Sequence, residues 1–241
     1  MSSEIKSIIF DVDGTLMDFR KAEVQALEEL RLFMGDTASP DEFITSYHRV
    51  NDRIWLELEQ GLITGSVLKL ERFRRFARER SSTIDPRELS EFYLTALGKG
   101  AFPLEGATEL LQALKGRFPM AVVTNGLTKV QEARFKALAY DKIFDVLLIS
   151  ETEGVSKPDV EIFRRAAARM GVPLDASVLM VGDSLSSDIG GGIAAGIQTC
   201  WYNPGGWQNQ SPHKADYEIS HLSEILEIPG VQVQLTERLS R

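Results

Sequence analysis

Cysteine occurs once in the 241 residues, at position 200, so no disulfide can form within the chain and a disulfide-stapled secreted fold is excluded. Long apolar runs are missing as well. The run "IIF" at 8–10 is too short for the core of a signal peptide, and no stretch approaches the roughly 18 apolar residues of a membrane helix. There is no excess of basic charge: 27 Lys and Arg stand against 35 Asp and Glu, a formal net charge of −8. That balance argues against a generic nucleic-acid binder, which presents a basic face. It does not exclude a phosphorylated substrate, because a local cation can reverse the sign of one pocket. Internal repeats and low-complexity segments are also lacking. The expectation is a soluble cytoplasmic protein with neither a membrane nor a nucleic-acid polymer as partner. Its 43% hydrophobic and 26% charged content suits one large domain, or a core with a smaller one attached.

Two patterns alternate along the chain. A β-prone run at 7–13 is followed by a helical stretch from about 21 to 97, broken at 35–40, 61–65 and 81–86, which predicts about four helices. Asp85-Pro86 reads as an N-cap with proline at the first helical position. Beyond residue 103 come short β-prone runs at 120–124, 145–150, 178–183 and 198–202, separated by helical stretches at 129–138, 159–170 and 188–195. Strands alternating with helices imply a parallel sheet covered on both faces. The lone first strand needs that sheet too, so the economical arrangement is an α/β core interrupted by a helical insertion. From about 231 the chain reads as a polar tail, with "VQVQL" an ambiguous short strand.

Ligands in open α/β sheets sit at the carboxyl ends of the strands. The first run ends in Asp11, Asp13, Gly14 and Thr15, and the second in Thr124, Asn125 and Gly126. Lys157 follows the third, and "GDSLSSD" with Asp183 and Asp188 ends the fourth. Within a strand, Asp11 and Asp13 would share one face, and two carboxylates that close resist joint ionisation unless a cation or proton intervenes. Taken singly, each group has a plainer reading. Thr124 and Asn125 suit a helix N-cap, Lys157 an exposed loop, and Asp183 and Asp188 helix caps. Their shared position at one end of one sheet favours chemistry. Several carboxylates without histidine or cysteine make a hard-oxygen site suited to Mg²⁺, which shares its shell with phosphate oxygens. A lysine with hydroxyl and N–H donors would hold the other phosphate oxygens. One carboxylate could be the nucleophile and its neighbour the acid/base. Gly190, Gly192 and Ala195 match the spacing of a dinucleotide fingerprint. They follow the acidic motif rather than a strand, so close helix packing is the better reading.

With these motifs in this order, the chain resembles the haloacid dehalogenase (HAD) superfamily in its phosphatase branch. "DVDGT" is similar to that family's first motif, Thr124-Asn125 to its second, Lys157 to its third and "GDSLSSD" to its fourth. The resemblance implies a Rossmann-like α/β core over 1–16 and 100–241, with an inserted α-helical cap over 17–99. It implies that Asp11 is the nucleophile and Asp13 the general acid/base. Asp11, the Asp13 carbonyl and Asp183 would hold Mg²⁺, with Asp188 supporting the metal shell. Thr124, Asn125, Gly126 and Lys157 would bind the phosphoryl group. Dehalogenases proper lack the second aspartate, so Asp13 points to phosphoryl transfer.

The cap should set specificity. Tyr47, Asn51 and Trp55 share one helical face. Asn51 and Trp55 are candidate substrate contacts, because both bring polar groups that need partners. Phe73 and Phe76 read as cap core. "GDSLSSDIGGGIAAGIQTCWYNP", with Asn51, Trp55, Gly61 and the "RF" pairs, is similar to the bacterial pyrimidine 5′-nucleotidase subgroup. That resemblance implies a nucleoside monophosphate as substrate. The alternatives are a phosphatase for another small ester, such as a sugar phosphate or phosphoglycolate, and a catalytically silent binding relative. Opening and closing of the cap is expected about hinges near 16–19 and 98–102.

Overall fold

Three consecutive apolar residues at 8–10 need cover on both sides. The computed structural model, which describes residues 4–60 and 62–231, places them at the centre of a sheet. In chain order, β1 (Ser7–Phe10) leads into four helices, α1 (Phe19–Phe33), α2 (Pro40–Glu59), α3 (Gly65–Glu79) and α4 (Pro86–Lys99). There follow α5 (Ala107–Leu114), β2 (Met120–Thr124), α6 (Thr128–Ala137), β3 (Val146–Ile149), α7 (Ser150–Glu153) and α8 (Val160–Met170). The chain continues through β4 (Val178–Gly182), α9 (Gly190–Ala195), β5 (Gln198–Tyr202) and β6 (Tyr217–Ile219).

The six strands form one parallel sheet in the order β3-β2-β1-β4-β5-β6. Side-chain alternation divides the core. Ile8, Phe10, Met120, Val122, Leu179 and Val181 pack on one face with Leu110 and Leu111 of α5. Ile9, Ala121, Val123, Val178 and Met180 pack on the other with Ile162 and Phe163 of α8. Strands buried on both faces and linked by helices make the α/β fold that the alternating pattern predicts. Strand order runs outward from β1 to β3 on one side and from β4 to β6 on the other. The β1/β4 junction is therefore the topological switch point, where such sheets open a crevice beyond their carboxyl ends.

Two corrections concern the elements at this junction. The first strand stops at Phe10 rather than at residue 13. The carbonyl of Val12 accepts N–H bonds from Thr15, Leu16 and Met17 at 3.2, 2.9 and 2.9 Å, closing a turn that takes Asp13 out of the strand. Asp11 and Asp13 are thus not neighbours on one strand face. The last motif does not open a regular helix at 188: residues Leu185–Ile189 form a wide π-type turn before α9. β6, α5 and the short α7 add to the elements expected from sequence. The possible strand at 231–235 and the tail lie, after Val231, outside the described residues, as does Gly61.

The chain divides into two compact units, Arg20–Gly100 and the remainder. The helical unit has its own aromatic core: Phe43, Tyr47, Phe73 and Phe76 are fully buried, and Tyr93 nearly so. Asp85 caps α4 by accepting from the Arg87 N–H at 2.8 Å, with Pro86 at its start. Among the described residues, no helix is long and apolar enough to cross a membrane.

Candidate active site

The segments just past β1 and β4, the end of β2 and the loop after α7 meet in the same crevice. Past β1, the Asp11 N–H donates to Val181 of β4 at 2.9 Å, which fixes the backbone where its side chain leaves the sheet. Lys157, on the loop between α7 and α8, reaches in from the β3 side. Its ammonium lies 2.5 Å from Asp11 Oδ1 and 2.7 Å from Asp188 Oδ1, and only 4% of the residue is exposed. It is not the exposed loop lysine of the plainer reading. Burial alone would push this amine down, but the Asp11 and Asp188 carboxylates overcome that and hold it charged. The Thr15 hydroxyl lies between Asp11 Oδ2 at 3.2 Å and Asp183 Oδ1 at 3.4 Å.

Asp11, Asp183 and Asp188 each bring a carboxylate oxygen within 4.8 Å of the others. Burial pushes the Asp183 carboxyl up to about 7, and the charges of Asp11 and Asp188 push the same way. Asp188 is raised as well, by burial, with the Lys157 charge opposing and Asp11 adding to the rise. It caps no helix: its Oδ2 accepts from the Ser184 N–H at 3.0 Å across its own turn. A crowded set of hard oxygens, of which one cationic side chain neutralises only part, is the donor set that a divalent cation such as Mg²⁺ satisfies. Gly14 makes room for the Asp183 carboxylate. Its φ is +90°, and a Cβ there would stand 2.4 Å from Asp183 Oδ2. The backbone carbonyl of Asp183 accepts from Trp201 Nε1 at 2.9 Å.

The second strand's residues divide their work. The Thr124 hydroxyl accepts from the Gly126 N–H at 3.0 Å, which leaves its own proton to give. Asn125 does not cap α6. Its Nδ2 donates to the Lys157 carbonyl and its Oδ1 accepts from the Lys157 N–H, both at 2.9 Å. In this structure the amide binds the lysine loop to the second motif.

Asp13 turns away from the other carboxylates. Its two oxygens accept from α6: Oδ1 from Arg134 at 2.7 Å and Oδ2 from Gln131 at 2.6 Å. Burial raises its pKa, the Arg134 charge pulls it back, and Asp11 adds to the rise. Arg134 and Gln131, both with no exposed surface, escape a reading of the sequence because polar residues register there as a solvent face. The one available signal was that Val130 and Phe135 alone make too narrow an apolar stripe for a helix lying on a sheet.

A family model described as a haloacid dehalogenase-like hydrolase matches residues 5–196. The chain belongs to this family. It is 34% identical to the pyrimidine 5′-nucleotidase YjjG of Escherichia coli (strain K12) over 90% of this chain and 95% of that protein. It is 32% identical to the pyrimidine 5′-nucleotidase PynA of Streptococcus pneumoniae over 92% and 94% of the two chains. The putative HAD-hydrolase YfnB of Bacillus subtilis, solved bound to magnesium and described as revealing interdomain movement, superposes with a TM-score of 0.86 at 30% identity. That superposition covers 96% of this chain and all of the other. As a HAD hydrolase with phosphatase relatives along nearly its whole length, the chain is a phosphatase-type enzyme.

The HAD core thus gathers Asp11, Thr124, Lys157, Asp183 and Asp188, with Asp13 and Asn125 attached to α6 and to the lysine loop. Asn51 and Trp55 belong to the helical unit. Asn51 Oδ1 accepts from Arg72 Nη1 at 3.1 Å, and the Arg72 guanidinium lies over the Tyr47, Phe73 and Tyr93 rings. Trp55, one turn further along α2, is 44% exposed. The dinucleotide-like glycines serve packing: a Cβ on Gly192 would stand 2.6 Å from Thr199.

Proposed function

We propose that the chain is a Mg²⁺-dependent phosphomonoesterase acting on pyrimidine nucleoside 5′-monophosphates, including deoxy and non-standard forms. The observation that carries the chemistry is the convergence of Asp11, Asp183 and Asp188 on one point, with the Lys157 ammonium between two of them. Asp11 is the nucleophile. Its carboxylate attacks phosphorus, the ester oxygen leaves as the alcohol, and the phosphoryl group becomes an aspartyl phosphate. Asp13 gives the departing oxygen its proton, then takes one from the water that hydrolyses the acyl phosphate. Lys157, the Thr124 hydroxyl and the N–H of residue 125 bind phosphoryl oxygens, while the Gly126 N–H orients that hydroxyl. A bound Mg²⁺, held by Asp11, the Asp13 carbonyl and Asp183 with Asp188 behind them, would offset the negative charge of nucleophile and phosphate.

The substrate class rests on the two nucleotidase relatives. Asn51 and Trp55 are assigned to the base in this reading, since an amide and an exposed indole suit a flat, polar-edged ring. The deciding experiment compares kcat/KM across nucleoside monophosphates, sugar phosphates and phosphoglycolate with Mg²⁺ and with excess chelator. Pyrimidine nucleotides should lead, and chelator should abolish turnover. A flat profile or a sugar-phosphate preference overturns the substrate, and full activity in chelator overturns the metal. Asp11→Asn should remove turnover with the fold intact. Trp55→Ala should raise KM for nucleotides while leaving hydrolysis of a small aryl phosphate near its original rate.

A further inference from the structure

The α6 helix carries two polar side chains, Gln131 and Arg134, on its buried face. A guanidinium without exposed surface is costly unless its partner returns the lost hydration, and Met or Leu would attach the helix to the sheet at no such cost. The partner here is the carboxylate of Asp13, which Arg134 Nη1 and Gln131 Nε2 meet one on each oxygen. The Arg134 guanidinium itself is seated over the Phe19 ring, 5.8 Å from its centroid. Gln131 also lies 3.4 Å from the Thr124 hydroxyl, so the same amide touches the first and second motifs. Neither side chain has surface through which to touch a substrate.

We propose that Gln131 and Arg134 are positioning residues for Asp13. Two donors on different turns of one helix fix both the direction of the carboxyl group and the plane in which it lies. They hold it apart from the Asp11–Asp183–Asp188 cluster, in which Asp11 and Asp188 take Lys157 instead. This rests on the reading of Asp13 as acid/base and adds what keeps that group in register. A displacement of about 1 Å at a reacting group costs on the order of 100-fold, so loss of either donor lowers the rate of the proton-dependent step.

The test compares two leaving groups in single-turnover formation of the phospho-enzyme, on the full chain with Mg²⁺. A nucleoside monophosphate releases a poor leaving group that needs the Asp13 proton; dinitrophenyl phosphate releases one that does not. Arg134→Met should slow transfer from the nucleotide by about 10- to 100-fold and from the aryl ester by no more than a few-fold, with KM little changed. A role confined to holding α6 would slow both alike, and that result overturns the proposal. In the Asp13→Asn background, Arg134→Met should add little further loss on the nucleotide, whereas multiplicative losses overturn it. Should Arg134→Met unfold, Gln131→Met, which removes the second donor, gives the same comparison. Asp13→Asn alone tests the acid/base reading: undiminished transfer from the nucleotide removes that reading, whatever the Arg134 variant does.

Discussion

Lys157 separates what is essential for charge balance from what is essential for shape. It joins two carboxylates that would otherwise repel, so its removal leaves Asp11 and Asp188 uncompensated in a buried place. Gly14 works on shape alone. A side chain there would adopt a left-handed backbone and push into Asp183, for a strain on the order of 1 kcal/mol. Gly14→Ala should therefore raise the Mg²⁺ concentration needed for half-maximal turnover by tenfold or more, while the thermal midpoint falls only a few degrees. A cation titration followed by turnover, beside a melting curve, checks both. Unchanged cation demand would show that Asp183 can move aside without cost to the site.

At the scale of elements, the sequence is most legible where side chains are apolar. The continuous apolar runs at 8–10, 120–124 and 178–182 identify strands buried on both faces, and the breaks at 35–40, 61–65 and 81–86 separate four helices. Residues 11–13 are the instructive failure. Val12 extends a β-prone pattern, but its carbonyl collects three N–H bonds and turns the chain, a turn that the Asp13-Gly14 pair signals and the apolar run before it masks. α6 is foreseen at 129–138, but the burial of its Gln131 and Arg134 is not, since polar residues on a helix read as its solvent face. β6 is three residues long, too short to show a period. Loops tied by charge are equally silent in sequence. Asp36, between α1 and α2, accepts from Arg80 Nε and Nη2 at 2.7 Å each and from the Ala38 N–H at 2.9 Å. The Arg80 hydrogen bonds hold its carboxyl below the ordinary 3.8. A depressed carboxylate stabilises the fold above its unfolded-state value, and that contribution is lost as pH falls through the lower folded-state value. Asp36→Asn should cost about 1–2 kcal/mol at pH 7, and the gap from the parent should narrow steadily below pH 3.8. Urea unfolding at both ends of that range measures it; a gap independent of pH would remove the ion pair as its cause.

At the scale of the molecule, the helical unit leaves and rejoins the α/β unit through a paired stalk. Met17 bridges Pro103, the Asp18 N–H donates to Phe102 at 2.8 Å, and the Leu104 N–H donates to Leu16 at 3.0 Å. The ends of the insertion are thus already joined by hydrogen bonds within the α/β unit, so closing that gap costs little entropy. Replacing residues 20–100 with a short glycine linker should leave a folded, Mg²⁺-binding α/β unit with native-like circular dichroism for its strands. Loss of cooperative unfolding in that variant would show that the stalk depends on the insertion. The resemblance to the HAD family named the site residues that the motifs carry, but the stalk and the α6 donors come from contacts distant in sequence, which no single chain displays.

The position of β1 also has a consequence in time. It is synthesised before every other described element, yet its neighbours come late: Ile8 pairs with Met120 on one side and Leu179 on the other. As the chain emerges from a ribosome at about 5–20 residues per second, β1 waits several seconds for its first partner and longer for its second. The four helices between them, whose contacts are local, can fold within that delay. The centre of the sheet, and with it the nucleophile's crevice, is therefore begun early and closed only when β4 emerges, with β5 and β6 still to follow.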